Sequence, residues 1–469
     1  MKVLSMKMFP ADIYIQRRQQ LKEDLKSGIL LFLGNDESPI NYPDNHYAFR
    51  QDSSFLYFWG LDLPGLAAII DIDDNRETVF GHDETLDNLI FAGPQAPLDE
   101  LCLQSGVTNY ASADQLETIL KSAVGRGRKV HFLPQYRSTN VLKIHLLLDI
   151  DATMVNQKAS VALIKAVVAQ RAVKADAEIQ QIEAALDIAS DMHAMAMKMS
   201  KAGTYEKEVV GAMAGLAYSR GSSILAYPAI FTINGHILHN PYHGNKMRES
   251  DLVINDSGVE STLHYASDIT RTFPVSGKFT RKQTEIYSIV FEAQKAAFEY
   301  IQPGVEYREV HFITAKKLAS GLKSLGLMKG SIDDGVSVGA HALFFPHGLG
   351  HMLGLDVHDM EDLGEDYVGY SQKIKRSDQF GTSHLRLARA LEPGFIVTVE
   401  PGLYFIPELI DQWKAAKNFV DFINYDKVEE YRHFGGVRIE DDVLVLKDGC
   451  RVLGEPIPKT IEEVEALSS

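Results

Sequence analysis

The chain has 469 residues, more than one hydrophobic core normally serves, so the sequence predicts two domains. Its formal net charge of −16, from 47 basic and 63 acidic side chains, argues against a nucleic-acid or anionic-membrane partner. The only cysteines, Cys102 and Cys450, cannot form a disulfide framework, and the N-terminus lacks a secretory pattern. No window approaches the ~18–20 apolar residues of a membrane helix. We therefore expect a cytoplasmic protein.

The first part of the chain has the alternating pattern of an α/β domain. The predicted elements are an opening helix (12–27), a strand (28–34), a two-stranded hairpin (66–73 and 77–82), two helices (84–91 and 112–123) and a further strand (129–134). The aromatic-rich stretch 46–60 is more typical of core or interface than of a binding site. This half has no Gly-rich phosphate loop and no cluster of metal-ligand residues, so we assign it no chemistry.

A long helical region is predicted from about Ser160 to Met199, and the domain boundary is expected near its start, giving domains 1–165 and 166–469. The second domain contains an internal repeat. Helix 176–200 is followed by Gly203 and helix 281–301 by Gly304, and a Glu-Val pair comes five residues after each glycine, at an offset of 101 residues. We favour a true duplication over two helix hairpins that are similar by chance.

Three histidines, His347, His351 and His358, lie in the Gly-rich stretch 346–359. The glycines at 348, 350 and 354 predict a loop instead of a straight helix, and the glutamate of a helical HExxH zinc motif is missing. Taken alone, the stretch fits either a functional loop or a turn with hydrogen-bonded core histidines.

Carboxylates recur at strand-like positions on both sides of this loop. The predicted strands and their acidic residues are 250–258 ending at Asp256, 264–277 carrying Asp268, 394–405 delivering Glu400, and 435–446 with Arg438 and Glu440 on one face. Each could be a turn, cap or surface residue. However, Asp268 and Glu400 lie in apolar, β-branched runs, where burying a carboxylate without a partner is costly. Four carboxylates and one imidazole suit two divalent ions such as Mn²⁺, Co²⁺ or Zn²⁺.

The strings HGLGHMLGLDVHD, TVEPGLY, DITRTFPVSGKF and GVRIEDD resemble the aminopeptidase P and prolidase branch of the pita-bread metallopeptidases. FRQDSSFLYFWG extends this resemblance into the first half. The resemblance implies an α/β N-terminal domain and an α+β pita-bread (creatinase/aminopeptidase) catalytic domain with pseudo-twofold duplication, in agreement with the repeat. It also implies five metal ligands, which are Asp256, Asp268, His351, Glu400 and Glu440.

By the same resemblance, the protein binds two divalent ions per subunit, with Mn²⁺ preferred and Co²⁺ or Zn²⁺ as alternatives, and these activate a bridging water. Glu400 would also accept the proton of that water. His239 and His358 would contact the substrate and stabilise the tetrahedral intermediate. His347 would lie beside the site without binding metal, and Arg438 would orient Glu440 or a nearby acid.

The implied function is removal of the N-terminal residue from peptides with proline in second position. We favour an aminopeptidase P over a prolidase, which cleaves dipeptides, and both over a metal-free creatinase-like enzyme or a non-enzymatic scaffold. The family also implies a homodimer or homotetramer. The sequence departs from the family pattern in the twelve-residue spacing between Asp256 and Asp268, which asks the hairpin to absorb one extra residue, and in apparent loop insertions at 361–390 and 405–434.

Overall fold

The computed structural model describes residues 7–82, 86–91, 93, 96–222 and 225–468. It divides the chain into two compact units. The N-terminal unit comprises Met1–Arg171 and Met360–Tyr367, and the C-terminal unit comprises Ala172–Asp359 and Val368–Ser469. The sequence-based boundary at residues 165 and 166 lies within helix α8 (Val161–Ala172) and remains a prediction.

The N-terminal unit is built on a mixed five-stranded sheet in the order β6-β5-β4-β1-β7. Its strands are β1 (Ile29–Leu33), β2 (Pro39–Tyr42), β3 (Asn45–His46), β4 (Ala67–Asp71), β5 (Arg76–Gly81), β6 (Tyr110–Ser112) and β7 (Val130–Phe132), of which β2 and β3 form a separate hairpin. Its helices are α1 (Ala11–Leu25), α2 (Ser53–Trp59), α3 (Leu86–Phe91), α4 (Leu98–Gln104), α5 (Gln115–Gly125), α6 (Ser138–Leu148) and α7 (Val155–Lys158). The predicted α/β pattern is therefore present, and α2, α4, α6 and α7 are additional helices. Part of the helix predicted at 84–91 lies outside the described residues.

The aromatic stretch contains helix α2, because Asp52 caps the helix by accepting a hydrogen bond from Phe55 N at 2.8 Å. Gly60 ends the helix in the left-handed region, with φ of 66°. Phe55, Phe58 and Trp59 are buried in the core, whereas Tyr47 before the helix is exposed. Most of this stretch therefore belongs to the core.

The C-terminal unit pairs helices with short antiparallel strands. Its helices are α9 (Asp176–Met199), α10 (Glu206–Ser219), α11 (Arg281–Tyr300), α12 (Tyr307–Ser324), α13 (Ile332–Ser337), α15 (Pro407–Ala415), α16 (Tyr425–Glu429) and α17 (Ile461–Ser468), and the short α14 (Glu365–Val368) begins in the N-terminal unit. Its strands are β8 (Ile230–Thr232), β9 (Leu252–Asp256), β10 (Thr270–Pro274), β11 (Ile396–Val399), β12 (Gly402–Tyr404), β13 (Gly436–Arg438), β14 (Asp441–Leu446) and β15 (Gly449–Val452). The sheets are β10-β9-β8, β11-β14-β15 and β12-β13.

The predicted helical region from about Ser160 to Met199 consists of two helices, α8 and α9, because the chain leaves the helical conformation between them. The backbone N–H of Lys174 donates to Gly394 O at 2.9 Å, and its ammonium pairs with Asp359 at 2.8 Å. These two tertiary contacts compete with helix continuation. The side chains of both ion-pair partners are only 1% exposed.

The duplication is visible in the backbone hydrogen bonds of the two helix hairpins, α9 with α10 and α11 with α12. Gly203 N donates to Met247 O at 2.9 Å, and Gly304 N donates to Leu391 O at 2.8 Å. Both glycines have positive φ, 97° and 86°. Two further hydrogen bonds of the first hairpin recur in the second, with the same offsets of 101 and 144 residues. The bond from Met247 N to Thr204 O corresponds to that from Leu391 N to Val305 O. The bond from Glu206 N to Asn245 O corresponds to that from Tyr307 N to Arg389 O. We therefore call residues 176–280 the first half and residues 281–452 the second half.

The four strands predicted around the site are all shorter than expected, and the one predicted over 394–405 is divided into β11 and β12. β10 begins at Thr270, so Asp268 precedes the strand, and the strand predicted over 435–446 is divided into β13 and β14. Val399 faces Asp441 and Gly402 faces Arg438 in one continuous register, which puts Glu400 opposite Glu440. The ladder opens at this point because Pro401 has no N–H to donate and Glu440 N donates to Thr270 O instead.

Candidate metal centre

A cavity of about 480 Å³ lies in the C-terminal unit. All five predicted metal ligands line it, together with the predicted substrate-binding residues. The lining residues include Tyr227, His239, Asp256, Asp268, His347, His351, His358, His384, Arg386, Glu400, Arg438 and Glu440. The structure therefore brings every residue that the sequence singled out to one cavity.

The first half contributes two aspartates. Asp256 ends strand β9, and Asp268 follows a hairpin that closes tightly, since a Cβ at Gly258 would lie 1.8 Å from Ser267 O. The Tyr227 hydroxyl lies 2.7 Å from Asp256 Oδ1 and 2.5 Å from Asp268 Oδ1. The hydroxyl has one proton and can donate a hydrogen bond to only one of these oxygens at a time, so the two aspartates retain uncompensated negative charge. The extra hairpin residue does not displace Asp268 from the cavity.

The second half contributes two glutamates that face each other where the ladder opens. Like charges directly opposite on paired strands repel. Thr270 Oγ1 donates to Glu440 Oε2 at 2.7 Å, and the Arg438 guanidinium donates to Asp256 Oδ2 at 2.6 Å. Arg438 therefore contacts an aspartate of the first half, which satisfies the nearby-acid alternative of the prediction.

His351 lies between the carboxylates of the two halves. Its Nε2 is 3.4 Å from Asp268 Oδ2 and 3.8 Å from Glu400 Oε1. Its Nδ1 lies 3.0 Å from Met352 O, an acceptor, so Nδ1 carries the proton in the neutral ring and the lone pair of Nε2 faces the carboxylates. Possible ligand atoms of Asp268, His351 and Glu440 all lie within 4.8 Å of one another. A lone pair aimed at carboxylate oxygens suits a shared cation.

The electrostatics of the cavity also favour a cation. Burial, with added repulsion from neighbouring carboxylates, raises the pKa of Asp256 and of Glu440, and raises the pKa of Glu400 to about 7. Arg438 is the guanidinium that opposes this repulsion at Asp256 and Glu400. Oxygen-rich sites of this kind bind divalent ions, whose charge would stabilise the ionised carboxylates. The residues present therefore fit a metal centre.

The other predicted histidines surround the carboxylates. The ring of His358 packs against that of His351, with centroids 4.2 Å apart, and His239 lines the cavity with an exposed side chain. His347 Nε2 lies 2.9 Å from the Tyr404 hydroxyl, and burial lowers the pKa of His347 to about 3. Partial burial and the Arg438 cation lower the pKa of His239. Burial therefore favours the neutral form of His347, and burial together with the Arg438 cation disfavours protonation of His239.

Several residues of the site were not predicted from the sequence. Tyr227, Thr270 and Tyr404 contact the predicted residues directly. No local pattern identifies them, because each is defined by a partner distant in the chain. From the two apparent insertions, residues 361–390 contribute His384 and Arg386 to the cavity lining, whereas no residue of 405–434 is among the described lining residues.

Comparison with known families assigns both parts of the chain. Residues 180–447 match the model of metallopeptidase family M24, and residues 14–131 match the aminopeptidase P N-terminal domain. Within the described part of the chain, no helix is both long enough and apolar enough to traverse a bilayer.

Individual relatives are similar over nearly their whole length. The Xaa-Pro dipeptidase of Homo sapiens is 31% identical over 97% of this chain and 93% of that protein, and the Xaa-Pro aminopeptidase of Escherichia coli is 31% identical over 96% of each. Among solved structures, aminopeptidase PepP of Pseudomonas aeruginosa has a TM-score of 0.80 at 29% identity, covering 98% of both chains. Zn-substituted E. coli aminopeptidase P in complex with product has a TM-score of 0.80 at 29% identity, covering 98% of this chain and 99% of that chain.

Proposed function

The chain belongs to metallopeptidase family M24, and we propose that it removes the N-terminal residue from peptides whose second residue is proline. The observation that carries this proposal is the convergence of four carboxylates and one imidazole on a single cavity. The pita-bread fold with an aminopeptidase P N-terminal domain supports the same activity.

We propose that five residues hold two divalent ions, with Mn²⁺ preferred: Asp256, Asp268, His351, Glu400 and Glu440. Bound divalent ions lower the pKa of water and polarise a carbonyl group. The Zn-substituted aminopeptidase P of E. coli is one solved relative, and Co²⁺ and Zn²⁺ remain alternatives here. Dialysis against a chelator should abolish turnover, and Mn²⁺ should restore it to the greatest extent. Restoration by none of these ions would contradict the proposal.

Side chains of this protein supply the proton transfers and the orientation. Glu400 would accept the proton of the attacking water, since its carboxylate lines the cavity and its Oε1 lies 3.8 Å from His351 Nε2. His358 and His239 would donate hydrogen bonds to the oxyanion that develops on the scissile carbonyl. His347 would bind substrate beside the centre, and Arg438 would hold Asp256 in orientation. Each of these residues lines the cavity.

Apolar side chains also line the cavity, and we propose that they form the surface that binds the proline ring. They are Pro228, Ile230, Leu238 and Val357. Contact with this surface would place the bond before proline next to the carboxylates. Substitution of Ala-Ala-Ala for Ala-Pro-Ala should therefore raise KM and lower kcat, because proximity at the reacting atoms depends on the ring.

A dipeptidase is the second candidate, because Arg386 lines the same cavity. The carboxylate of a dipeptide Xaa-Pro is free and needs a cation, which a guanidinium supplies. Ala-Pro and Ala-Pro-Ala should be compared with Mn²⁺ added and chelator as the control. Faster cleavage of Ala-Pro-Ala supports the aminopeptidase, and cleavage of Ala-Pro alone supports the dipeptidase. For a dipeptidase, Arg386→Met should raise KM for Ala-Pro about 10-fold or more.

We also propose a cytoplasmic homodimer or homotetramer. The free thiols Cys102 and Cys450 fit a reducing compartment. Light scattering during gel filtration measures the subunit number, and a monomer would contradict the assembly. Fractionation of the source cells tests the location.

A further inference from the structure

His193 and Gln294 occupy equivalent positions in the duplicated halves. They are 101 residues apart, which is the offset that relates Gly203 to Gly304 and the backbone hydrogen bonds of the two helix hairpins. His193 lies on α9 and Gln294 on α11, and both side chains are fully buried. A buried polar group is retained at little cost only when its hydrogen bonds are made, so their partners identify their roles.

In the first half, His193 binds the two residues that flank Asp256. Its Nε2 lies 3.1 Å from Ser257 O and donates to it, and its Nδ1 accepts from Asn255 Nδ2 at 3.1 Å. Ser257 Oγ donates to Asn255 Oδ1 at 3.0 Å, which fixes the orientation of that amide. The end of strand β9 is therefore held on both sides of its aspartate.

In the second half, Gln294 binds the two residues that precede the glutamates. Its Nε2 donates to Val399 O at 3.1 Å and to Ile439 O at 3.3 Å. These carbonyls lie where the ladder opens between the β11–β14 pairing and the β12–β13 pairing. The amide therefore joins two backbone segments at the point where few cross-strand hydrogen bonds hold them.

The orientation of the Gln294 amide is determined by Lys459. The Lys459 ammonium donates to Gln294 Oε1 at 3.3 Å and to Asp441 Oδ2 at 2.5 Å. A lysine can only donate, so the amide oxygen faces Lys459 and the amide nitrogen faces both carbonyls. Gln294, which is not among the described residues lining the cavity, thus helps to fix the separation of Glu400 and Glu440.

We propose that His193 and Gln294 are matched positioning residues, each holding the carboxylate-bearing backbone of its half in the geometry that two divalent ions require. This inference rests on the metal centre of the proposed function. It differs from that function because neither residue is among the described residues that line the cavity. Supporting groups of this kind typically change metal affinity by about 10–100-fold when removed.

The test is Mn²⁺ binding to the full-length protein, measured by equilibrium dialysis of the chelator-treated enzyme. Gln294→Met keeps the length of the side chain and removes both donated hydrogen bonds, so it should weaken Mn²⁺ binding about 10–100-fold. Turnover of Ala-Pro-Ala should fall at limiting Mn²⁺ and recover largely at excess Mn²⁺. If Gln294→Met does not fold, Gln294→Glu provides the same test, because a carboxylate of the same shape cannot donate to the carbonyls when ionised.

Gln283→Met is the matched control, because Gln283 lies on the same helix and donates to Ser250 O at 3.2 Å. Ser250 precedes β9, whereas Asp256 lies at the other end of that strand. Gln283→Met should alter thermal stability without altering Mn²⁺ affinity. Equal Mn²⁺ affinity in wild type and Gln294→Met would overturn the positioning role while leaving the proposed function intact. Failure of the wild-type protein to bind any of Mn²⁺, Co²⁺ and Zn²⁺ would overturn both.

Discussion

The two halves of the C-terminal unit have equivalent backbone hydrogen bonds, but the charges of their carboxylates are neutralised by different groups. In the first half, Asp256 receives hydrogen bonds from the Tyr227 hydroxyl and the Arg438 guanidinium. In the second half, Glu400 and Glu440 face each other across an opened ladder, and burial raises the pKa of Glu400 to about 7. The duplication therefore supplies matched supports, whereas Glu400, the carboxylate proposed to accept the proton of the water, lies in the half with less neutralisation from protein groups.

The largest expected effect comes from the second half. Glu400→Gln keeps an oxygen in place but cannot accept a proton, so kcat for Ala-Pro-Ala should fall by about 10³-fold or more. Circular dichroism and thermal melting should show a folded protein. Glu392→Gln, at an exposed side chain, is the control and should keep full activity. Unchanged turnover in Glu400→Gln would reject the assignment of Glu400.

The next largest effect concerns the ion pair between Lys174, which precedes the first half, and Asp359, which lies in the histidine loop of the second half. Lys174→Met leaves the buried Asp359 carboxylate without its ammonium partner, so the free energy of unfolding should fall by about 3–5 kcal/mol in urea titrations. Replacing both partners, as Lys174→Met with Asp359→Leu, should recover part of that loss. A double variant no more stable than the single one would show that the charge pair is not the cause.

A smaller effect is expected from the hydroxyl that links the two aspartates of the first half. Tyr227→Phe keeps the ring and removes the contacts with Asp256 and Asp268, so Mn²⁺ affinity should fall about 10–100-fold in equilibrium dialysis. Tyr218→Phe, at an exposed ring, is the control. Retained affinity in Tyr227→Phe would mean that Arg438 alone orients Asp256.

The smallest expected effect tests whether His193 and Gln294 are equivalent positioning residues. His193→Gln introduces into the first half the amide that the second half uses, so Mn²⁺ affinity should change by less than about 10-fold, whereas His193→Ala should lose about 10–100-fold. The same dialysis measurement compares the two variants. Equal losses would show that an amide cannot replace the imidazole and would break the equivalence.

Sequence reasoning succeeded where the signal was local and failed where it depended on distant partners. The five residues predicted as metal ligands lie in short strings, and the repeat is marked by glycines at a constant offset. Their convergence on one cavity and the repeat could therefore both be predicted before the structure. The role of Gln294 depends on carbonyls more than a hundred residues away. The division of the last predicted strand depends on Pro401 and on Thr270, and the break before α9 depends on Gly394. None of these contacts leaves a periodic pattern.

The tight hairpin between Asp256 and Asp268 restricts how this gene can diverge. Any side chain at Gly258 would collide with Ser267 O, which would lie 1.8 Å from its Cβ, and any side chain at Gly350 would approach Thr398 O to 2.0 Å. Both neighbours are backbone atoms and cannot rotate away. Lineages that keep the metal centre are therefore expected to retain glycine at these two positions even where the surrounding side chains drift freely.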